Sequence, residues 1–327
     1  MKTEFNVNMT NAVTYIYPCY KFDHFSYKFI PTPSTICVML YGFLTLLSVA
    51  TVCGNLLVII SVLYFKQLHT PANFLILSLA VTDLLVGIIV FPLSMAISLS
   101  SCMYYESLFC NVRDSFGIYL CTCSILHLCC ISVDRYYAVC QPLTYKSKIT
   151  RHVVVFMITI NWSASALIGM AVMIPRLEEK CQECFVDTFI ANIVGSILAF
   201  YLPIFIMMCI YLKIFFVAQR QARSIQARMK CGATVSKMER KATKTLAIVL
   251  GVFLFCWTPF FLSITFQPFI NNLGVVPVIE TLNWLAMTNS TLNPFIYAFF
   301  YSWFRSAFKL IMSGKILHCD FANTKLH

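Results

Sequence analysis

Seven long apolar segments constrain the fold of this chain more than any other feature of its sequence. An apolar segment of about 20 residues crosses the hydrocarbon core of a bilayer as an α-helix, which satisfies its backbone polar groups without water. The sequence therefore predicts an all-α membrane protein, a bundle of seven transmembrane helices. The segments cover residues 35–64, 72–98, 107–139, 151–174, 188–217, 242–268 and 278–300.

The composition is that of a membrane protein. Hydrophobic residues make up 59% of the chain and charged residues only 11%, whereas about a quarter of the residues in a soluble domain are charged. We expect four parts along the chain: an extracellular N-terminal segment at 1–34, the bundle at 35–300, an amphipathic helix on the membrane surface at 301–313, and a cytoplasmic tail at 314–327.

The distribution of basic residues predicts the orientation of the bundle. The chain has 24 Lys and Arg residues; six lie on one side of the predicted membrane, which leaves eighteen on the other. Cytoplasmic loops carry the excess of Lys and Arg in membrane proteins. We therefore expect the N-terminus outside the cell and, after seven spans, the C-terminus inside. A nucleic-acid-binding patch is the weaker interpretation, because the basic cluster lies between two apolar segments.

Two sites of covalent modification are predicted outside the apolar segments. Asn8 opens the sequon Asn8-Met9-Thr10, which predicts N-glycosylation of the extracellular segment. Cys319 follows the amphipathic helix and is a candidate for palmitoylation, although a free cysteine is an equal alternative.

Polar residues and prolines recur within the apolar segments, where lipid penalises them. An ionisable side chain inside a membrane is costly and therefore indicates a functional position. The second segment contains Asp83, and the third ends in the triplet Asp134-Arg135-Tyr136. The later segments contain, in order, Pro203 and Tyr211, Trp257 and Pro259, and the run from Asn289 to Tyr297.

These motifs, in this order, resemble the rhodopsin-like (class A) G-protein-coupled receptors. Residues 65–71, 124–128 and 289–304, the last reading NSTLNPFIYAFFYSWF, are similar to the trace-amine-associated receptors. The resemblance implies a plasma-membrane receptor that binds a small extracellular ligand and activates a heterotrimeric G protein, of the Gs or olfactory type. Outside these motifs no pair of acids and no nucleophile with a base converges, so we expect no enzymatic activity.

The resemblance implies a switch at the cytoplasmic end. Arg135 would pair with Asp134 beside it. It would also pair with Glu239, just before the sixth segment, and this link between the third and sixth helices would hold the cytoplasmic face shut. The alternative for Glu239 is a solvated charge at a helix end. Leu143 would be an apolar plug against the G protein. The switch set is Asp134, Arg135, Tyr136, Leu143, Tyr211, Glu239, Asn293, Pro294 and Tyr297.

The resemblance also implies a sodium ion in the bundle. Asp83 needs partners there, and the family positions that match its ion site are Ser124, Asn289 and Ser290. A hydrogen-bonded polar core without an ion is the alternative. We expect no cofactor other than this ion.

The family pattern implies one disulfide, and a second is predicted beside it. Cys110, at the start of the third segment, would pair with Cys184 in the second extracellular loop. Cys19 would then pair with Cys181 and hold the N-terminal segment over the pocket. Cys181 and Cys184 form an isolated CxxC, which we interpret as two separate disulfide partners, not a metal site.

The sequence departs from its relatives where an amine would bind. Amine receptors place an aspartate seven residues after the third-segment cysteine or, in some members, eight before the proline of the fifth segment. Here these positions are Gly117 and Gly195, and Met287 replaces a tyrosine that is usual in the last segment. A ligand ammonium would therefore need Asp114 or Glu280, closer to the pocket mouth.

The ligand hypothesis thus has two forms, an amine or a non-amine small molecule. A seven-helix transporter or light-driven pump is the alternative from another class, but the last segment has no lysine for a retinal Schiff base and no internal repeat is visible. The candidate ligand-binding residues are Asp114, Gly117, Ile118, Cys121, Gly195, Ser196, Trp257, Phe260, Phe261, Glu280, Asn283 and Met287.

Overall fold

The computed structural model describes residues 35–99, 108–177, 193–228, 233–266, 275–300 and 302–314, which are almost entirely helical and contain no β-strand. Eight helices, two of them with a π-helical turn, account for nearly all of these residues. They are α1 (Thr35–Tyr64), α2 (Pro71–Leu85, the π-helical turn Val86–Val90 and Phe91–Leu99), α3 (Leu108–Cys140), α4 (Arg151–Leu177), α5 (the π-helical turn Ile197–Tyr201 and Leu202–Arg228), α6 (Ala233–Phe266), α7 (Val275–Phe300) and α8 (Ser302–Met312). The predicted all-α fold is confirmed.

Six of these helices, α1 to α6, are long and apolar enough to cross a membrane by length and composition. α7 has 26 residues, enough for a span. Its middle carries Asn283, Thr288, Asn289, Ser290 and Asn293, which lower its mean hydropathy. A helix with so many polar residues is suited to a position in which they face other helices.

Two helices extend beyond the predicted apolar segments. α5 continues to Arg228 and α6 begins at Ala233, whereas the apolar patterns end at 217 and begin at 242. A helix keeps its backbone hydrogen bonds in water as well as in lipid, so it need not end where the apolar pattern ends. The extensions carry the basic residues that connect α5 to α6.

The helices form a closed ring around α3. α3 packs against α2, α4 and α5, while α7 packs against both α6 and α1 and so joins the end of the bundle to its beginning. We call the end of the bundle near Arg113, where α1, α3, α5 and α7 begin, the Arg113 end. The opposite end, at which α3 reaches Asp134-Arg135-Tyr136, is the Arg135 end.

The principal core lies where α3, α5 and α6 meet. Its fully buried side chains include Ile125, Phe200, Phe253 and Trp257. The rings of Phe200 and Phe261 stack with centroids 4.1 Å apart. Apolar side chains on the outside of the bundle, such as Phe205 and Phe255, are exposed, as expected of a surface that meets lipid.

α8 docks on the bundle through one apolar face. Phe304 and Ala307 are buried against α1 and α7, while Phe308 and Lys309 are exposed. Arg305 donates from Nη1 to the carbonyl oxygens of Ala298 and Phe299 at 3.1 and 3.0 Å. A cation at a helix C-terminus satisfies carbonyl groups that have no partner within the helix.

Gly54 allows α1 to approach α7 closely. A Cβ atom added to Gly54 would lie 2.9 Å from Cβ and Cγ of the buried Pro294. Next to this contact, Asn55 donates from Nδ2 to the Ser290 carbonyl oxygen at 3.2 Å, and the hydroxyls of Thr51 and Thr291 lie 2.6 Å apart. Small residues at the closest point with polar bonds beside it are typical of helix packing in membranes.

We expect Gly54→Ala to lower the melting temperature of the detergent-solubilised protein. The Pro294 ring is rigid and cannot turn away, and overpacking of this kind costs about 1–3 kcal/mol. Gly42→Ala in the same helix is the matched control, because an added Cβ there meets no atom within 4 Å. Equal melting temperatures for the two variants would contradict the close contact.

Candidate functional site

A buried carboxylate joins three helices in the middle of the bundle. Asp83 on α2 is 0% exposed. Its Oδ1 accepts hydrogen bonds from the Ser124 hydroxyl on α3 at 3.3 Å and from the Ser290 hydroxyl on α7 at 2.8 Å. Its Oδ2 accepts from Asn293 Nδ2 on α7 at 2.7 Å. These three bonds hold α2, α3 and α7 together at one depth.

Among the described residues no hydrogen bond joins Asn289 to Asp83. Asn289 is buried, and its amide nitrogen has no hydrogen-bond partner among the described residues. Asn293, which the sequence assigned to the switch, donates to Asp83 instead. The two asparagines are four positions apart, about one turn of α7, so the sequence pattern alone did not decide which of them donates to the acid.

The donor set around Asp83 fits a sodium ion. It consists of a carboxylate and two hydroxyls, and oxygen ligands of this kind suit hard cations. Among the described residues no Lys or Arg forms an ion pair with Asp83, so a cation would supply its missing charge partner. No group of three or more His, Cys, Asp or Glu side chains suited to a metal occurs in the described ranges.

A second polar chain links α2, α3 and α4. Trp162 Nε1 donates to the Ser78 hydroxyl at 3.0 Å, and that hydroxyl lies 2.7 Å from His127 Nε2. His127 Nδ1 lies 2.7 Å from the Cys123 carbonyl oxygen. Because a carbonyl only accepts, Nδ1 carries the proton and Nε2 accepts from Ser78. The sequence pattern did not indicate this connection through Ser78.

At the Arg135 end, Arg135 pairs with its neighbour on α3. Arg135 Nη2 lies 2.6 Å from Asp134 Oδ2, and the hydroxyl of Tyr145 donates to Asp134 Oδ1 at 2.8 Å. Tyr145 lies on a short helix, Pro142–Lys148, which we call the linker helix. Desolvation and this hydrogen bond raise the pKa of Tyr145 to about 12, so its hydroxyl keeps its proton at neutral pH.

The surface around Arg135 is open. Leu143 on the linker helix is 99% exposed. A cavity of about 700 Å³ lies beside Arg135, and its lining includes Thr70, Lys146 and Trp303.

Nearby residues of the predicted switch set also have partners. The hydroxyls of Ser132 and Tyr211 lie 2.9 Å apart, within hydrogen-bonding distance. Lys213 Nζ lies 5.3 Å from the centroid of the Tyr136 ring. Tyr297 is buried and its ring lies 6.5 Å from that of Phe304 on α8.

At the Arg113 end, Arg113 contacts both acids that were predicted to meet a ligand. Its Nε lies 2.7 Å from Asp114 Oδ1. Its Nη1 and Nη2 donate to the Glu280 carboxylate in contacts of 3.3 Å. The two acids therefore already share a cation from the protein, which ties α3 to α7.

Below this ion cluster, at Gly117, the position at which amine receptors place an aspartate is open. A Cβ atom added to Gly117 would meet no atom within 4 Å. Further along, Trp257 and Phe261 are buried in the principal core, and Phe260 and Cys121 pack against it. Trp257 Nε1 is buried without a hydrogen-bond partner among the described residues.

The other candidate ligand residues differ in their burial. Ser196 is buried, whereas Ile118, Gly195 and Asn283 are half-buried. Met287 belongs to a different cluster from Trp257, packed with Phe91, Leu120, Val86 and Val90.

Several predicted positions lie outside the described residues: Asn8, Cys19, Cys181, Cys184 and Cys319. For Cys110 and Glu239 the helices are described but the side chains are not. The two disulfides, the glycosylation and the pairing of Arg135 with Glu239 stay predictions.

The chain matches the family model of the seven-transmembrane receptors of the rhodopsin family over residues 54–297. It is 43% identical to trace amine-associated receptor 1 of Macaca mulatta over 309 residues, which cover 88% of this chain and 91% of that protein. It is 41% identical to trace amine-associated receptor 4 of Mus musculus, over 90% of this chain and 91% of the relative.

The chain belongs to the trace amine-associated receptors of the rhodopsin family.

The predicted family is therefore confirmed, and with it a multi-pass membrane receptor that is not an enzyme. As a G-protein-coupled receptor it has a small-molecule ligand and a heterotrimeric G protein as partners. The receptor carries the polar motifs of its family on α2, α3, α6 and α7, the helices that the contacts above connect.

In this receptor we expect Tyr145→Phe to lower the melting temperature. The buried Asp134 carboxyl group would lose a hydroxyl donor, and for a partly exposed tyrosine the loss is worth about 1 kcal/mol. Because the pKa of Tyr145 is raised, its stabilising contribution is complete at neutral pH and is lost only as the pH rises toward 12. Thermal unfolding at neutral pH measures the effect, and an unchanged transition would show that Asp134 does not depend on this bond.

Proposed function

We propose that the receptor lies in the plasma membrane with its N-terminus and the Arg113 end outside, and that it activates a G protein of the Gs or olfactory type. The excess of Lys and Arg in the segments at the Arg135 end supports this orientation. Membership of the trace amine-associated receptors, a family of amine detectors many of which are olfactory, supports the type of G protein.

We infer that the surface around Arg135 is where the G protein binds. The observation that carries this proposal is Leu143, an apolar side chain that is 99% exposed on the linker helix, outside the apolar spans. An isolated exposed leucine is common on proteins. This one, however, lies on the helix that also holds Tyr145 against the Asp134–Arg135 pair. A partner that buries Leu143 therefore also contacts the support of Arg135.

Leu143→Asp tests this proposal. The variant should reduce receptor-dependent cAMP by about tenfold in cells, because an aspartate placed in an apolar contact with the G protein would be buried without a partner. Thr144→Asp is the matched control, since it adds the same charge one residue later on the same helix, where the side chain is also exposed. Equal loss in both variants, or no loss in either at equal surface expression, would argue against Leu143 as the contact.

We propose that the ligand is an amine that enters at the Arg113 end. The relatives are named as trace amine-associated receptors, and two carboxylates, Asp114 and Glu280, lie at this end. The open space at Gly117 leaves room for the apolar part of the ligand above Trp257 and Phe260. The second candidate, a neutral small molecule, is favoured by the absence of a carboxylate at Gly117 and Gly195.

We propose further that Asp83, Ser124 and Ser290 hold a sodium ion in the inactive state of the receptor. The ion would supply the positive charge that the buried Asp83 lacks. Ion binding favours whichever state binds it more tightly. Sodium should therefore lower basal cAMP signalling.

Asp83→Asn tests the ion. In membranes, raising NaCl in exchange for a salt of a large organic cation should lower G-protein activation by the wild type and leave the variant insensitive. Ionic strength is constant in this exchange, so screening cannot explain a difference. A variant that responds to sodium as the wild type does would exclude Asp83 as the ion ligand.

A further inference from the structure

The Arg113 guanidinium lies between two carboxylates at the mouth of the bundle. The side chain of Arg113 is only 13% exposed, whereas those of Asp114 and Glu280 are 34% and 41% exposed. This cluster contains an ion pair between two helices, Arg113 with Glu280. The contact between Arg113 and Glu280 connects α3 to α7 at the Arg113 end.

The two contacts of Arg113 are unequal. The contact with Asp114 is 2.7 Å, but each contact with Glu280 is 3.3 Å. Charge-assisted hydrogen bonds between nitrogen and oxygen are about 2.7–2.9 Å when they are strong. Asp114 also follows Arg113 directly in α3, whereas Glu280 is on another helix. The link to Glu280 is therefore the one that opens more easily.

The cluster has two carboxylates around one guanidinium. An entering cation can take Glu280 while Arg113 stays with Asp114, its nearer partner. The more exposed of the two carboxylates is Glu280, so it is also the one that an entering ammonium meets first.

We propose that Arg113 is a specificity-determining residue, a cation of the receptor itself that competes with the ammonium group of a ligand for Glu280. This inference rests on the proposed amine ligand and assigns its counter-ion to α7 in place of α3. Binding exchanges one ion pair for another: the ammonium pairs with Glu280, and Arg113 is left with Asp114. The exchange removes the ionic link between α3 and α7 and leaves the apolar part of the ligand above the open space at Gly117.

Three single variants test the competition, because they change amine potency in different directions. Arg113→Met removes the competing cation, so the concentration of amine for half-maximal cAMP should fall about tenfold. Asp114→Asn leaves the guanidinium with Glu280 alone, so this concentration should rise. Glu280→Gln removes the counter-ion and should raise it about tenfold or more. Tenfold corresponds to 1.4 kcal/mol.

The probes are 2-phenylethylamine and 2-phenylethanol, which share an aromatic ring and chain but differ in charge. The three changes should alter the concentration of the amine for half-maximal cAMP and leave that of the alcohol unchanged. Arg113→Lys, which keeps a cation, should stay close to the wild type. The double variant Arg113→Met with Glu280→Gln should lose the gain of Arg113→Met. Surface expression is measured for every variant, so that a folding defect is not mistaken for a change in potency.

Arg113→Met with unchanged or weaker amine potency at equal surface expression would overturn the inference, and so would Glu280→Gln with full potency. If the wild type does not respond to the amine but Arg113→Met does, the inference is supported.

Gly117→Asp separates failure of the inference from failure of the proposed function. This variant places a carboxylate in space that the structure leaves open. If neither the wild type nor Arg113→Met responds to the amine but Gly117→Asp does, the pocket admits amines and the role of Arg113 is refuted. If Gly117→Asp is also silent while receptor-dependent basal cAMP persists, the amine ligand itself is refuted, and the role of Arg113 with it.

Discussion

A single buried carboxylate holds the middle of this receptor together. Asp83 accepts three hydrogen bonds from two other helices, and none of its donors carries a charge. Breaking such a network leaves a buried charge without partners, which costs far more than an exposed contact. The positions of α2, α3 and α7 therefore depend on one another, and a change at either end of the bundle must preserve these bonds or move all three helices.

The two ends of α3 are built on the same chemical principle. At each end an arginine and an aspartate are neighbours in sequence and form an ion pair, Arg113 with Asp114 and Arg135 with Asp134. A third group joins each pair. At the Arg135 end the neutral hydroxyl of Tyr145 donates to the aspartate, whereas at the Arg113 end the carboxylate of Glu280 contacts the arginine.

The open space at Gly117 and the ion cluster above it together determine how this receptor can recognise a charged ligand. A receptor that lacks the usual carboxylate in the pocket must recognise charge elsewhere or not at all. Here the acids lie at the mouth and are partly exposed, where an ion pair is weaker than in a dry site. Selectivity would then depend on competition with Arg113 as much as on direct attraction, while Trp257, Phe260 and Phe261 supply an apolar surface below.

The sequence by itself determined the fold class, the seven spans and the family. Long apolar segments have few alternatives in lipid, and Asp83, Asp134-Arg135 and Pro294 stand out because the membrane penalises them. The tertiary structure decided which of these residues meet: Asn293 at Asp83, Tyr145 at Asp134, Ser78 between Trp162 and His127, and Arg113 between Asp114 and Glu280. Periodicity gives the face of one helix, but a hydrogen bond between helices depends on their rotation and relative depth, which packing against all the others sets.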